Sequence, residues 1–183
     1  MKVIITGRPG VGKTTVFSKV VELLRIKGVV VGGFVCPELR KDGVRVGFDI
    51  VDLLSGKRAA LARVIKLNPS SVCVARVGKY CVLKDAVVVG CKAIDTALRS
   101  ADIVGIDEVG PMELKLIELR KCMERVLKDP RVPALLVLHR KLANSVESLV
   151  EGEYRLFWVT EGNRAKLPRL LVNIIVNDVK KLK

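Results

Sequence analysis

The chain has 183 residues, half of them apolar and 28% charged, so its composition excludes intrinsic disorder and its length predicts one compact domain over residues 1–183. Thirty-three Lys and Arg against 19 Asp and Glu give a net charge of +14, which favours a polyanionic partner such as a nucleoside triphosphate or a nucleic acid. No uncharged apolar run approaches the ~20 residues that cross a bilayer, and the apolar start is too short for a secretory signal, so we expect a cytoplasmic protein with no membrane partner.

The first 35 residues predict a strand, a glycine-rich turn, a helix and a second strand. Residues 3–5 are apolar, and Thr6 after them is followed by three glycines within six positions, so the first strand is predicted over residues 3–6. From residue 13 to residue 27, apolar side chains recur at the spacing of one helix face, and Gly28 favours the left-handed conformation that ends a helix. The second strand is predicted over residues 29–35.

Residues 36–85 have a different pattern, which is typical of antiparallel hairpins. Asp42-Gly43 and Ser55-Gly56 are turn signals that separate short apolar runs. The strand candidates are residues 44–51, 58–62, 72–77 and 80–83. We therefore expect a hairpin insertion at about 36–85 in an otherwise alternating chain.

After Cys91, strands and helices are predicted to alternate again. A helix at about 93–99 leads to a strand over 103–106, and a second helix at about 116–128 is stopped by Asp129-Pro130. The remaining candidates are a strand over 134–138, a helix over 144–150, a strand over 155–159 and a helix over 167–180. This alternation predicts an α/β fold with a parallel sheet flanked by helices on both faces.

The turn after the first strand matches the phosphate-loop pattern G-x-x-x-x-G-K-[ST] at every fixed position. Its glycines allow consecutive backbone N–H groups to surround phosphate oxygens, and the following helix N-terminus adds partial positive charge. We expect Lys13 to contact the β- and γ-phosphates and Thr14 to offer its hydroxyl to Mg²⁺. The predicted nucleotide-binding residues are Gly7, Arg8, Pro9, Gly10, Val11, Gly12, Lys13 and Thr14.

A second predicted site segment is the apolar strand that ends in two acids. A carboxylate at the end of a buried strand needs a partner, and Asp107 fits the acid that holds Mg²⁺ opposite Thr14. Glu108 is placed to polarise the attacking water, which favours hydrolysis over transfer to another acceptor. The residues of this segment are Ile103, Val104, Gly105, Ile106, Asp107, Glu108, Val109 and Gly110.

Together with other segments, these two motifs resemble the thermophilic nucleoside-triphosphatase family, which includes the cancer-related nucleoside triphosphatase of higher organisms. The most diagnostic match is Asp107-Glu108 followed by Gly-Pro-Met-Glu-Leu. The other matching segments are residues 33–40, 43–48, 77–80 and 160–164.

The resemblance implies a P-loop NTPase with a RecA-like sheet. It also implies Mg²⁺-dependent hydrolysis of ATP, GTP, CTP and UTP to the diphosphate and phosphate. The nucleotide-binding segments of the family map onto residues 7–14 and 103–110.

Polar residues elsewhere are weaker site candidates, each with an alternative in ordinary packing or solvation. One arginine of the insertion can serve as an arginine finger from the same chain; the candidates are Arg40, Arg45 and Arg76. The other candidates are Lys79 and Tyr80 beside the nucleotide, His139 as a γ-phosphate sensor, and Asn163 and Arg164 near the base.

The five cysteines form no Cys-x-x-Cys pair, and this spacing argues against a zinc site. We expect reduced, mostly buried thiols at Cys36, Cys73, Cys81, Cys91 and Cys122. The absence of glutamine hints at a thermophilic source, where intracellular disulfides are a known exception.

Three other functions stay open at this point: a nucleoside or nucleotide kinase, a nucleic-acid-stimulated ATPase, and a non-catalytic nucleotide-binding switch. The seven aromatic residues do not interleave with a basic run, so only weak, non-specific nucleic-acid binding is expected. The oligomeric state is left open by the sequence.

Overall fold

The computed structural model describes residues 1–65 and 73–182. Its strands are β1 (Lys2–Gly7), β2 (Val31–Val35), β3 (Glu38–Lys41), β4 (Val44–Asp52), β5 (Arg58–Val64), β6 (Cys73–Val77), β7 (Tyr80–Leu83), β8 (Ile103–Val109), β9 (Ala134–Leu138) and β10 (Tyr154–Val159). Its helices are α1 (Lys13–Ile26), α2 (Asp85–Ser100), α3 (Ile117–Leu127), α4 (Val146–Leu149) and α5 (Leu167–Leu182), with 3₁₀ turns at Glu113–Lys115 and Arg140–Ser145.

Half of the strands form a parallel sheet in the order β10-β1-β9-β8-β2. The carboxyl ends of these strands lie along one edge, where side chains from separate parts of the chain meet. The α/β fold with a parallel central sheet is therefore as predicted.

The other strands continue the same sheet in antiparallel pairing beyond β2, in the order β4-β5-β7-β6, with β3 on β4. They come from the stretch predicted as an insertion. The predicted strand over 72–77 begins at Cys73, and Val72 lies outside the described residues.

The predicted start of the helix after the insertion is wrong: α2 begins at Asp85, not near residue 93. Residues 87–89 are three consecutive valines, a β-branched run with low helix propensity. Packing overrides this preference, because α2 buries small and apolar residues at helical spacing: Ala86, Gly90, Ala93, Ile94 and Ala97. The helix predicted over 144–150 is likewise shorter, since a 3₁₀ turn precedes the single turn of α4.

Helices cover both faces of the sheet, and the two faces have separate apolar cores. On β1, Val3 and Ile5 point to the core that contains α1 and α5, whereas Ile4 points to the core that contains α2 and α3. Helix α2 packs closely against β4 of the sheet, because a Cβ on Gly90 would come within 2.8 Å of Cδ1 of Ile50. In the described part of the chain, no helix is both long and apolar enough to cross a membrane.

The prediction of reduced, mostly buried thiols is wrong for four of the five cysteines. Disulfides join Cys73 to Cys81, across β6 and β7, and Cys91 to Cys122, between α2 and α3. Their Cα atoms lie 5.2 Å and 5.5 Å apart, distances typical of disulfides. The two cysteines of each pair are 8 and 31 residues apart in the sequence, so they match no short cysteine motif. Strand pairing and helix packing bring them together. Cys36 is a buried free thiol, as expected.

Candidate active site

The phosphate loop connects β1 to α1 and bends sharply at two glycines. Gly10 and Gly12 have φ values of 77° and 106°, which side chains with a Cβ rarely adopt. The loop therefore leads straight into the N-terminus of α1, where the first amides of the helix have no partner within the helix. These amides and the helix dipole make the loop suited to an anion.

Lys13 is buried at the first position of α1, and its ammonium group lies over the loop. Its Nζ donates to the backbone oxygens of Gly7 and Arg8, both at 3.4 Å. These are long hydrogen bonds to neutral acceptors. The salt bridges of the described residues give Lys13 no carboxylate partner either. A phosphate in the loop would provide one.

Asp107 lies near the carboxyl end of β8 and is only 1% exposed. Strand β9 lies between β8 and β1 in the sheet. Among the described residues, neither of its carboxylate oxygens has a hydrogen-bond partner of normal geometry. Burial raises the pKa of Asp107 to about 7, although the neighbouring Thr14 hydroxyl and the Lys13 ammonium oppose the rise. A buried carboxylate without a donor is costly, so this position is suited to a cation.

Two more acids flank Gly110. A Cβ on Gly110 would come within 2.8 Å of Glu108 Oε1 and 3.0 Å of Glu113 Oε2, so glycine leaves room for both carboxyl groups. Burial raises the pKa of Glu108, against the opposing charge of Lys13. Burial, with added repulsion from Glu108 and Asp107, raises the pKa of Glu113 to about 8. Three carboxyl groups thus share one low-dielectric region.

Cys36 belongs to the same cluster. It follows β2, is 8% exposed, and its thiol interacts with the carboxyl group of Glu113. Burial, with repulsion from Glu113 and Asp107, raises the pKa of the Cys36 thiol well above its ordinary value. Cys36 is therefore a neutral thiol at physiological pH and not a reactive thiolate.

These groups open onto a cavity of about 620 Å³, a size typical of ligand sites. The phosphate loop and the first residues of α1 form one side of it, and the acids at the end of β8 form its middle. The insertion forms the far side, which we call the hairpin wall and define as Glu38, Arg45, Phe48 and Tyr80. The parallel sheet and the insertion therefore share one cavity.

The weaker arginine and lysine candidates fall into two groups. Arg40 and Arg45 line the cavity, whereas Arg76 is exposed on β6 and does not. Tyr80 also lines the cavity, while the Nζ of Lys79 lies 5.5 Å from the centre of the Tyr80 ring. Sequence reasoning did not identify Phe48 or Glu38 as site residues, and only the strand pairing brings them to the cavity.

His139 lies at the end of β9 and lines the cavity. Its Nδ1 accepts a hydrogen bond from the backbone N–H of Lys141 at 3.3 Å. Burial and the charge of Lys13 lower the pKa of His139. It is therefore a neutral imidazole at physiological pH.

Asn163 and Arg164 lie outside the cavity, in the loop after β10. Asn163 holds this loop together, since its side chain donates to the Trp158 oxygen and accepts from the Thr160 N–H, at 2.8 Å and 2.9 Å. Arg164 packs against the outer side of the phosphate loop, with Nη1 3.4 Å from the Val11 oxygen. Arg164 therefore contacts the phosphate loop, whereas Asn163 stabilises the loop after β10.

Comparison with known proteins identifies the family. A family model described as NTPase matches residues 2–172. The chain belongs to this NTPase family. Its resemblance to the thermophilic nucleoside-triphosphatases is thereby confirmed.

Relatives of the NTPase family match along almost their whole length. The chain is 41% identical to nucleoside-triphosphatase THEP1 of Archaeoglobus fulgidus, over 96% of this chain and 99% of that protein. It is 40% identical to nucleoside-triphosphatase THEP1 of Methanopyrus kandleri, over 94% of each. These full-length matches leave no large segment of either relative without a counterpart in this chain.

Two solved structures of the family have the same fold. The crystal structure of THEP1 from Aquifex aeolicus matches with a TM-score of 0.80 and 28% identity, over 96% of this chain and 99% of that one. The solution structure of a human cancer-related nucleoside triphosphatase matches with a TM-score of 0.72 and 32% identity, over 95% and 96%. The predicted enzyme class, a nucleoside-triphosphatase, is that of the family.

Proposed function

We propose that this protein hydrolyses nucleoside triphosphates to the diphosphate and phosphate. The observation that carries the proposal is the buried carboxylate of Asp107, which lies beside Thr14 and Lys13 of the phosphate loop and has no hydrogen-bond partner of normal geometry among the described residues. The names of the relatives support it. The substrates we propose are ATP, GTP, CTP and UTP, because the loop recognises the phosphates through its backbone and Lys13, and the phosphates are the same in all four nucleotides.

The proposed cofactor is Mg²⁺, held by Thr14 and Asp107. The donor set fits, since a hydroxyl and a carboxylate are hard oxygen ligands and both Asp107 oxygens lack a partner among the described residues. Bound there, Mg²⁺ would offset the negative charge of the phosphates. The binding segments remain residues 7–14 and 103–110.

In the proposed reaction, the loop amides and Lys13 hold the phosphates and stabilise charge on the transferring group. Glu108 orients a water molecule and accepts its proton as the water oxygen bonds to the γ-phosphorus. The bond from that phosphorus to the β–γ bridging oxygen breaks, and the nucleoside diphosphate leaves with the bonding electrons. The raised pKa of Glu108 suits it to accept this proton.

Phosphoryl transfer to an organic acceptor is a second candidate, favoured by one observation. The cavity extends past Glu108 to the hairpin wall, which is more space than a single attacking water needs.

A single domain and a cytoplasmic location stay predictions from the sequence.

The proposal is tested by comparing Asp107→Asn with Glu108→Gln. We expect Asp107→Asn to weaken Mg²⁺-nucleotide binding and turnover together, because its carboxylate acts in the ground state. Glu108→Gln should leave binding nearly intact and lower the single-turnover rate by about 10²–10⁴. The matched control is Glu153→Gln, at an exposed glutamate before β10. A normal rate for Glu108→Gln would show that another residue activates the water.

A further inference from the structure

Arg45 is the cationic residue of the hairpin wall, and the surrounding side chains hold its guanidinium in place. It projects from β4, forms a salt bridge with Glu38, and lies over the Phe48 ring at 5.5 Å from the ring centre. Phe48 in turn contacts Tyr80 edge to face, with ring centres 5.4 Å apart. A guanidinium fixed in this way loses little freedom when a ligand binds.

The salt bridge leaves part of the guanidinium without a partner. Arg45 Nε is buried, yet it has no acceptor in the part of the chain that the structure describes. Burial opposes the charge of Arg45, but the Glu38 carboxylate and the Tyr80 hydroxyl outweigh this and raise its pKa. Arg45 thus keeps its charge on the cavity wall with its hydrogen-bonding capacity incompletely used, so it would attract an anion in the cavity.

Arg40 and Arg76, the other two arginine candidates of the insertion, lack this arrangement. Arg40 is exposed, and its guanidinium donates both to Glu38, at 2.8 Å and 3.1 Å, and to the backbone oxygen of Gly43 at 2.8 Å. Arg76 does not line the cavity. The structure therefore distinguishes Arg45 from the two arginines that sequence spacing treats as equivalent.

We propose that Arg45, supported by Glu38, Phe48 and Tyr80, forms a second phosphate-binding subsite that faces the phosphate loop across the cavity. This inference rests on the proposed function, because it takes the terminal phosphate of the nucleotide to lie between Lys13 and Asp107. The phosphate at Arg45 is either the γ-phosphate of that nucleotide or the phosphate group of a second ligand. Both present the same oxygens to a guanidinium.

Glu38 has a defined part in this subsite. Its carboxylate accepts a hydrogen bond from Nη2 of Arg45, so it offsets the charge of the guanidinium and repels an incoming anion. Removing the charge of Glu38 should therefore strengthen phosphate binding, whereas removing that of Arg45 should weaken it. A salt bridge with only a structural role would make both variants change in the same direction.

The experiment measures binding by calorimetry for the wild type, Arg45→Gln, Arg45→Lys, Glu38→Gln and the control Arg76→Gln. The ligands are ADP and a non-hydrolysable ATP analogue, each with Mg²⁺, and AMP added to protein already saturated with the analogue. If the subsite holds the γ-phosphate, Arg45→Gln weakens analogue binding at least about tenfold and leaves ADP binding within about twofold. If it holds a second ligand, Arg45→Gln instead abolishes AMP binding to the analogue complex.

In either case Glu38→Gln should tighten the affected ligand severalfold, Arg45→Lys should fall between wild type and Arg45→Gln, and Arg76→Gln should match wild type. Melting curves identify any variant that fails to fold, and Arg45→Lys, which keeps the charge, then carries the test. Equal binding by wild type and Arg45→Gln, or losses in both Arg45→Gln and Glu38→Gln, would overturn the subsite. Neither result touches the role of Glu108, which has its own test.

Discussion

Replacing Glu113 by glutamine should stabilise the protein, and the gain should depend on pH. At pH 7 the buried carboxyl is protonated in the folded chain, where its pKa is about 8, but ionised in the unfolded chain, where its ordinary value is 4.5. Folding must therefore take up a proton across a gap of about 2.5 pH units, which costs about 3 kcal/mol at ~1.4 kcal/mol per unit. Glutamine keeps the size and the hydrogen bonding of the protonated carboxyl and removes this cost.

The sign of the effect follows from proton binding. Below pH 4.5 both states of the wild type hold the proton, so the advantage of Glu113→Gln disappears; it grows as pH rises toward 8. We expect urea unfolding in EDTA to show a gain about 3 kcal/mol larger at pH 7 than at pH 4, and no such difference for the exposed control Glu153→Gln. A gain of equal size at both pH values would refute the assignment of a protonated Glu113.

The remaining predictions concern activity. Lys13→Ala should remove nearly all hydrolysis without unfolding the chain, because the hydrogen bonds of the Lys13 ammonium to described residues go to two loop carbonyls and to no core group. The control is Lys19→Ala, at an exposed lysine of the same helix, and normal turnover by a folded Lys13→Ala would contradict the assignment. Values of kcat/KM for ATP, GTP, CTP and UTP should agree within about tenfold, and strict dependence on one base would point to a specialised kinase. Added RNA or DNA should change hydrolysis less than about twofold; stimulation of tenfold or more at ~150 mM salt would favour a nucleic-acid motor.

The phosphate loop and the acids of β8 could be predicted because the residues that carry their chemistry are contiguous in the sequence. A loop that wraps phosphate needs glycines at fixed spacing before a lysine, and a strand that ends in Asp107-Glu108 presents its acids at the sheet edge. The sequence also places both segments at the same edge, since both follow parallel strands.

The hairpin wall could be predicted only in part, at Arg45 and Tyr80, because the rest of it depends on pairing between separate strands. Glu38, Phe48 and Tyr80 lie on β3, β4 and β7, and no spacing rule brings them to one cavity. The disulfides were missed for the same reason. For α2, the run of three valines has low helix propensity, and the packing of the other face of α2 decides for a helix.

Helix α2 packs against both the parallel part of the sheet, which carries the phosphate loop, and the antiparallel part, which carries the hairpin wall. Strand β2 pairs with β4 at only two positions, Phe34 with Asp52 and Val35 with Val51. Helix α2 packs against β2, where a Cβ on Gly32 would come within 2.7 Å of the Ala97 Cβ, and against β4 through Gly90. A larger residue at Gly32 or Gly90 would therefore shift the hairpin wall relative to the phosphate loop and change the width of the cavity, although neither glycine lines it. Loss of activity from such distant substitutions would reflect an altered gap between two walls, not the loss of any group that touches the nucleotide.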